Sequence, residues 1–173
     1  MSAIRCLLAP LALITLADPV HAEIAAPANS QIDYPGFAAL TRDLASVRAG
    51  HRLDWTTFAA RARAEGALLL DARSADAFAR GHIAGAVNLP FTDFTAEALR
   101  DVVGADPDRP IYIYCNNNFG DHRAPVALKA APLALNIPTF INLHGYGYRN
   151  VWELADVVAT VDLGNDWVSQ PPM

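Results

Sequence analysis

The sequence predicts an α/β domain with a central parallel sheet flanked by helices on both faces, and three observations lead there. Two apolar runs, Ala67-Leu68-Leu69-Leu70 and Ile111-Tyr112-Ile113-Tyr114, are continuous rather than alternating, as in strands covered on both faces. Segments with apolar residues at helical spacing lie between and around them, so strand, helix, strand, helix and strand follow in turn, the order that crossover helices impose on a parallel sheet. The composition, 53% hydrophobic and 18% charged in 173 residues, suits one globular domain with a core of its own.

The elements follow in order. Residues 1–22 have the pattern of a Sec-type signal peptide: Arg5 gives a positive start, Cys6 to Ala17 is apolar apart from Pro10, and Val20-His21-Ala22 is spaced for cleavage after Ala22. This predicts a periplasmic protein without a membrane anchor after cleavage, because a span needs about 20 apolar residues. Cys6 leaves with the signal, and Cys115 is then the only cysteine. Residues 23–36, rich in Ala, Pro and Asn, are expected as a linker. The domain is expected over 37–160. It opens on an amphipathic helix with Phe37, Leu40, Leu44 and Val47 on one face, followed by a helix capped by Asp54 with Phe58 and Ala62 inward. Gly66 leads into the first buried strand. Asp71-Ala72-Arg73 precedes a short helix from Ser74 to Arg80, then Gly81 and Gly85 suit turns or close approaches around a strand Ala86 to Leu89. Thr95 caps a helix with Leu99, Val102 and Val103 inward, and Ile111 to Tyr114 is the next buried strand. Beyond it the pattern predicts a helix beginning near Pro125 and broken by Pro132, a strand from Thr139 to Leu143, and a last helix in which Asn150 and Glu153 form a capping box and Val151, Leu154 and Val158 face inward. Residues 161–173 are expected as a tail.

The formal charge of -5 and the lack of any Lys/Arg cluster argue against a nucleic-acid or anionic-membrane surface. No Cys-x-x-Cys or His-x-x-x-His pair accompanies Cys115, His122 or His144, so no metal is expected, and no cofactor is implied. Gly145-Tyr146-Gly147-Tyr148 lacks the context of a phosphate cradle, although its tyrosines could rim a pocket. Cys115 stands where an apolar strand ends, the edge at which ligands bind in open α/β sheets. The following Asn116-Asn117-Asn118-Phe119-Gly120 suits a tight loop whose N–H groups turn toward an anion. Two readings of Cys115 stand at this point: a nucleophilic thiol, or a small buried hydrophobe.

Asp71-x-Arg73 ahead of Phe78-x-x-Gly-His-Ile-x-Gly-Ala-x-Asn-x-Pro, with a strand-end cysteine downstream, resembles the rhodanese-like domain over about Leu53 to Val158. Leu143-x-Gly145 with Trp152 is similar to the family's closing Leu-x-Gly-Gly and Trp pattern, with Tyr146 at the second glycine. The resemblance implies a sulfurtransferase in which Cys115 takes a sulfane sulfur as a persulfide, Asn116 to Gly120 and Arg123 bind the donor, and Asp71, Arg73, Gly81, His82 and Gly85 mainly hold the fold beside the pocket. His82 as a catalytic base is the sharper and weaker reading. The loop departs from the family's Cys-x4-Arg and from the Cys-x5-Arg of dual-specificity phosphatases, since the first arginine, Arg123, follows seven intervening residues.

Three functions follow. The first is a periplasmic sulfurtransferase using a small anionic sulfur donor and a thiol acceptor. The second is a non-catalytic persulfide carrier or binding module for another exported protein. The third, a cysteine phosphatase or arsenate reductase, lacks the close arginine that an oxyanion needs. The strand-end cysteine and the helix expected after it predict a thiolate.

Overall fold

From Tyr34 onward the chain alternates helices and strands: α1 (Tyr34–Gly50), β1 (Arg52–Leu53), α2 (Trp55–Ala62), β2 (Leu68–Asp71), α3 (Ala75–Arg80), β3 (Gly81–Ile83), β4 (Val87–Asn88), α4 (Ala96–Val103), β5 (Ile111–Tyr114), α5 (Asn136–Gly145), β6 (Val151–Leu154) and β7 (Trp167–Ser169). The computed structural model describes residues 29–121 and 126–169. The signal-peptide assignment, His122, Arg123 and Pro125 lie outside them, as do the last four residues. Before Tyr34 the described residues hold a turn in which the Ile32 amide donates to the Asn29 carbonyl at 3.1 Å. Among the described residues no helix is long and apolar enough to cross a membrane.

Strands β1, β6, β5, β2 and β4 form one sheet in that order, every pair parallel. β5 is central because both of its faces are apolar. Ile111 and Ile113 point into a core with Leu68, Leu70, Leu99, Phe140, Leu143 and Val151, to which α4 and α5 contribute and against which Leu44 of α1 packs. Tyr112 and Tyr114 point the other way, into a core with Leu69, Phe58 of α2, Leu154 and Phe119. Alternation at period two along a strand covered on both sides gives these two layers. The parallel sheet with helices on both faces is the predicted architecture.

Two caps read from sequence hold: Asp54 accepts from the Thr57 amide and Thr95 from Ala98. Ser74, expected as the first residue of its helix, is instead its cap and accepts from the Ala77 amide, so each of the three satisfies an N–H that the first helical turn leaves without a partner. Gly81 provides a close approach, since a Cβ there would stand 2.7 Å from the Trp167 ring, and Gly85 turns the chain at φ +84°. α1 begins at Tyr34, inside the segment expected as linker.

The chain after β5 differs from expectation. Thr139 to Leu143, expected as a strand, belongs to α5, and Val151 to Leu154, expected in a helix, is β6. The buried residues of α5 include Asn136, Thr139, Phe140 and Leu143, which recur at i, i+3, i+4 and i+7, one helical stripe. Pro138 stands in the first turn, where its missing N–H costs no helical bond. Val151 to Leu154 finds ladder partners on both sides, β5 and β1, which outweighs the local capping pattern. Asn150 joins no capping box: its Nδ2 donates to the Asp108 carbonyl and its Oδ1 accepts from Trp152 Nε1. No helix covers residues 126–130, and Pro132 lies in a 3-10 turn, Ala131–Leu133. Within the expected tail, β7 pairs antiparallel with β3, Ile83 opposite Trp167, because the Trp167 ring packs on Phe119 at 4.9 Å between centroids.

Candidate active site

The parallel register sets Asp71, the last residue of β2, beside Tyr114 on one side and Asn88 on the other, so Cys115 emerges at the same sheet edge as Asp71. Asp71 is fully buried and 3% of Arg73 is exposed. One Asp71 carboxylate oxygen accepts from Arg73 Nη2 at 2.6 Å and from the Tyr114 hydroxyl at 2.6 Å; the other accepts from the Arg73 amide and Nε at 2.9 Å. The remaining guanidinium donors reach the Gly81 carbonyl at 2.7 Å and Asn116 Oδ1 at 2.9 Å. Burial opposes the charge on Arg73, but hydrogen bonding to Asp71 and its charge hold the guanidinium pKa above the ordinary value. Burial, with Asp71 beside it, pushes the Tyr114 phenol well up, so it stays a donor. Paired and hydrogen-bonded, the buried charges brace the residue next to Cys115.

Cys115 lies at the floor of a cleft of about 230 Å³, lined also by Arg73, Ser74, Ala77, Asn116, Asn117, Lys129 and Leu135. Cys115 is 3% exposed. Burial pushes the thiol pKa up; the backbone N–H groups of Asn136, Asn117 and Leu135 pull it down, and the charge of Glu153 adds to the rise. The balance is upward. This corrects the predicted thiolate: the helix start does face the sulfur, but it is that of α5, and the desolvation of a sulfur so deep in the protein outweighs it.

The three asparagines hold the long loop. Asn116 Nδ2 donates to the Ala127 carbonyl at 2.8 Å. Asn117 takes both backbone groups of Lys129, donating to its carbonyl at 2.7 Å and accepting from its amide at 3.2 Å. These bonds engage backbone groups that a helix through 126–130 would need, which accounts for its absence. Asn118 is buried; its Oδ1 accepts from the Cys115 amide and Asn136 Nδ2, and its Nδ2 donates to the Leu154 and Asp156 carbonyls.

Of the residues expected to bind substrate, Asn116 and Asn117 line the cleft, with their amides engaged by the loop. Asn118, Phe119 and Gly120 do not. Asn118 is a buried staple, Phe119 fills the core beside Tyr114, and the Gly120 amide donates to the Val158 carbonyl at 2.9 Å, with a Cβ at Gly120 set to stand 3.0 Å from the Val157 side chain. Arg123 lies outside the described residues. His82 is stacked on Phe78 at 3.8 Å and donates from Nδ1 to the Phe78 carbonyl, and it does not line the cleft, in keeping with a structural role. Tyr146 and Tyr148 line a different cavity of about 460 Å³ with Arg100 and Pro107, near the opposite end of β5, where there is no nucleophile. Ser74, Ala77, Lys129 and Leu135 are cleft residues that the sequence reading missed. One signal was available for Lys129: it is the only lysine in the chain.

The family model of the Rhodanese-like domain matches residues 54–156. No curated protein matches the chain. Among solved structures, the NMR structure of the rhodanese-like domain of the Alr3790 protein from Anabaena sp. is 19% identical, with 69% of this chain and 80% of that chain covered and a TM-score of 0.48. A crystal structure of the same Anabaena protein is 19% identical, covering 68% of this chain and 91% of that one at a TM-score of 0.46. The BH2092 protein from Bacillus halodurans is 18% identical over 71% and 77% of the two chains, with a TM-score of 0.43.

Proposed function

We propose, for a chain that belongs to the rhodanese-like domain family, that it is a periplasmic sulfurtransferase carrying a sulfane sulfur as a persulfide on Cys115. The observation that carries this reading is the thiol's position: at a strand end, at the floor of a cleft, against the first N–H groups of α5. In the first step the Cys115 thiolate attacks the outer sulfur of thiosulfate. A new S–S bond forms, the old one breaks with its electron pair on sulfite, and a persulfide anion remains. Inward N–H groups stabilise the terminal charge as they would an oxyanion. In the second step an acceptor thiolate or cyanide attacks the terminal sulfur and the electron pair returns to Cys115. With cyanide the product is thiocyanate.

The raised thiol pKa favours one second reading, a domain that docks onto an exported partner without turnover, since a protonated thiol is a poor nucleophile. Intact-mass measurement on the mature protein separates the two. Thiosulfate is expected to add one sulfur atom, cyanide to remove it, and Cys115→Ser to abolish both steps. Loading should quicken as pH rises through neutrality, because only the thiolate attacks. No added sulfur from thiosulfate or a polysulfide, with Cys115 still open to alkylation, would leave the docking reading. N-terminal sequencing of the exported protein tests the address, with Glu23 expected first.

A further inference from the structure

We propose that Lys129 is the residue by which this protein selects negatively charged reagents for Cys115. Two basic residues, Arg73 and Lys129, line the cleft. Arg73 has little charge to offer a ligand: four of its five guanidinium N–H groups donate to Asp71, Asn116 and Gly81, and Asp71 neutralises it. Lys129 differs on each point. Its residue is exposed, and among the described residues it enters no ion pair.

The lysine is also held in place. Both backbone groups of Lys129 bond to the side-chain amide of Asn117, two residues from the nucleophile, so the base of the side chain is fixed relative to Cys115. A segment of the long loop between β5 and α5 thus delivers the chain's one lysine to the cleft. A positive charge at the mouth of a low-dielectric cleft raises the local concentration of anions and not of neutral molecules of the same size. Applied to the sulfurtransferase reading, on which the identity of the donor rests, this selects an anionic sulfur donor.

The test does not require sulfur transfer. Cys115 is alkylated at low ionic strength with iodoacetate, an anion, and with iodoacetamide, its neutral counterpart, in the mature protein and in Lys129→Gln, Lys129→Arg and Arg123→Gln. The expected result is a fall of about tenfold in the iodoacetate to iodoacetamide rate ratio in Lys129→Gln, with the ratio kept in Lys129→Arg and worn down by salt in the unaltered protein. A Lys129→Gln ratio within about twofold of the original overturns the proposal, as does an equal fall for both reagents, which would place the effect on the thiol or the fold. A ratio that follows Arg123→Gln instead hands the role to Arg123. Sulfur loading of Cys115 with an unmoved ratio would refute the lysine alone, whereas a charge-sensitive thiol that never accepts sulfur would refute the transfer reading alone.

Discussion

The corner after β2 and the corner after β5 meet at one sheet edge, yet they are held in different ways. At the first, Asp71 and Arg73 are two residues apart and close a buried, charge-assisted clamp on themselves, with Tyr114 and the Gly81 carbonyl completing it. At the second, neutral asparagine amides reach backbone groups distant in sequence: Asn116 to Ala127, Asn117 to Lys129, Asn118 to Leu154 and Asp156. A clamp made within three residues constrains its own neighbourhood. A clamp made across a long loop works only once the rest of the fold has presented its partners. The first corner therefore serves as a fixed wall of the cleft, and the second ties a segment distant in sequence, Lys129 included, to the same sheet edge.

The largest effect expected from breaking the contrast is at the local clamp. Asp71→Asn keeps the shape but leaves the Arg73 guanidinium buried without a counter-charge, which costs about 3–5 kcal/mol of stability in urea unfolding. A loss under about 1 kcal/mol, typical of exposed pairs, would mean that the first corner is not held by charge.

At the second corner Asn118→Ala is expected to cost less, about 2–3 kcal/mol, because the orphaned groups are neutral: the Cys115 amide, Asn136 Nδ2 and the carbonyls of Leu154 and Asp156. Equal costs for Asp71→Asn and Asn118→Ala would remove the distinction between the corners.

The smallest effect concerns a third clamp, a buried charge pair of long range. Glu153 of β6, 1% exposed, pairs with Arg48 of α1, one carboxylate oxygen meeting Nη2 at 2.7 Å and the other meeting Nε. Burial raises the Glu153 pKa, against the pull of Arg48. A carboxyl that is harder to ionise in the folded state than in the unfolded one leaves the fold most stable when it is protonated, and that advantage is lost as pH rises from the ordinary carboxylate value through the raised one. Unfolding measured from mildly acid to neutral pH should therefore show a decline that Glu153→Gln flattens. A decline of the same slope in the variant would assign it to another group.

How far the sequence can be read follows the same division. Asp54 and Thr95 announce their helices because a cap bonds within three residues of itself. Continuous apolar runs locate β2 and β5 because no solvent-facing polar residue interrupts a strand covered on both sides, and Cys115 at the end of β5 is placed by that fact alone. The segment 136–154 was harder. Thr139 to Leu143 is apolar enough for a strand, and Asn150 with Glu153 has the spacing of a cap, so local pattern favours the wrong element twice.

The sequence by itself determined the parallel α/β architecture and the strand that ends at Cys115, because each rests on periodicity, and its resemblance to a family motif marked Asp71 and Arg73 as residues that hold the fold. Tertiary structure decided the rest. It made α5 the helix whose N–H groups meet the sulfur, turned Asn118, Phe119 and Gly120 away from the cleft, and brought Lys129 into it. It also raised the thiol pKa where the loop and helix start alone predicted a thiolate, since desolvation depends on every layer packed above Cys115 and cannot be read from the residues beside it.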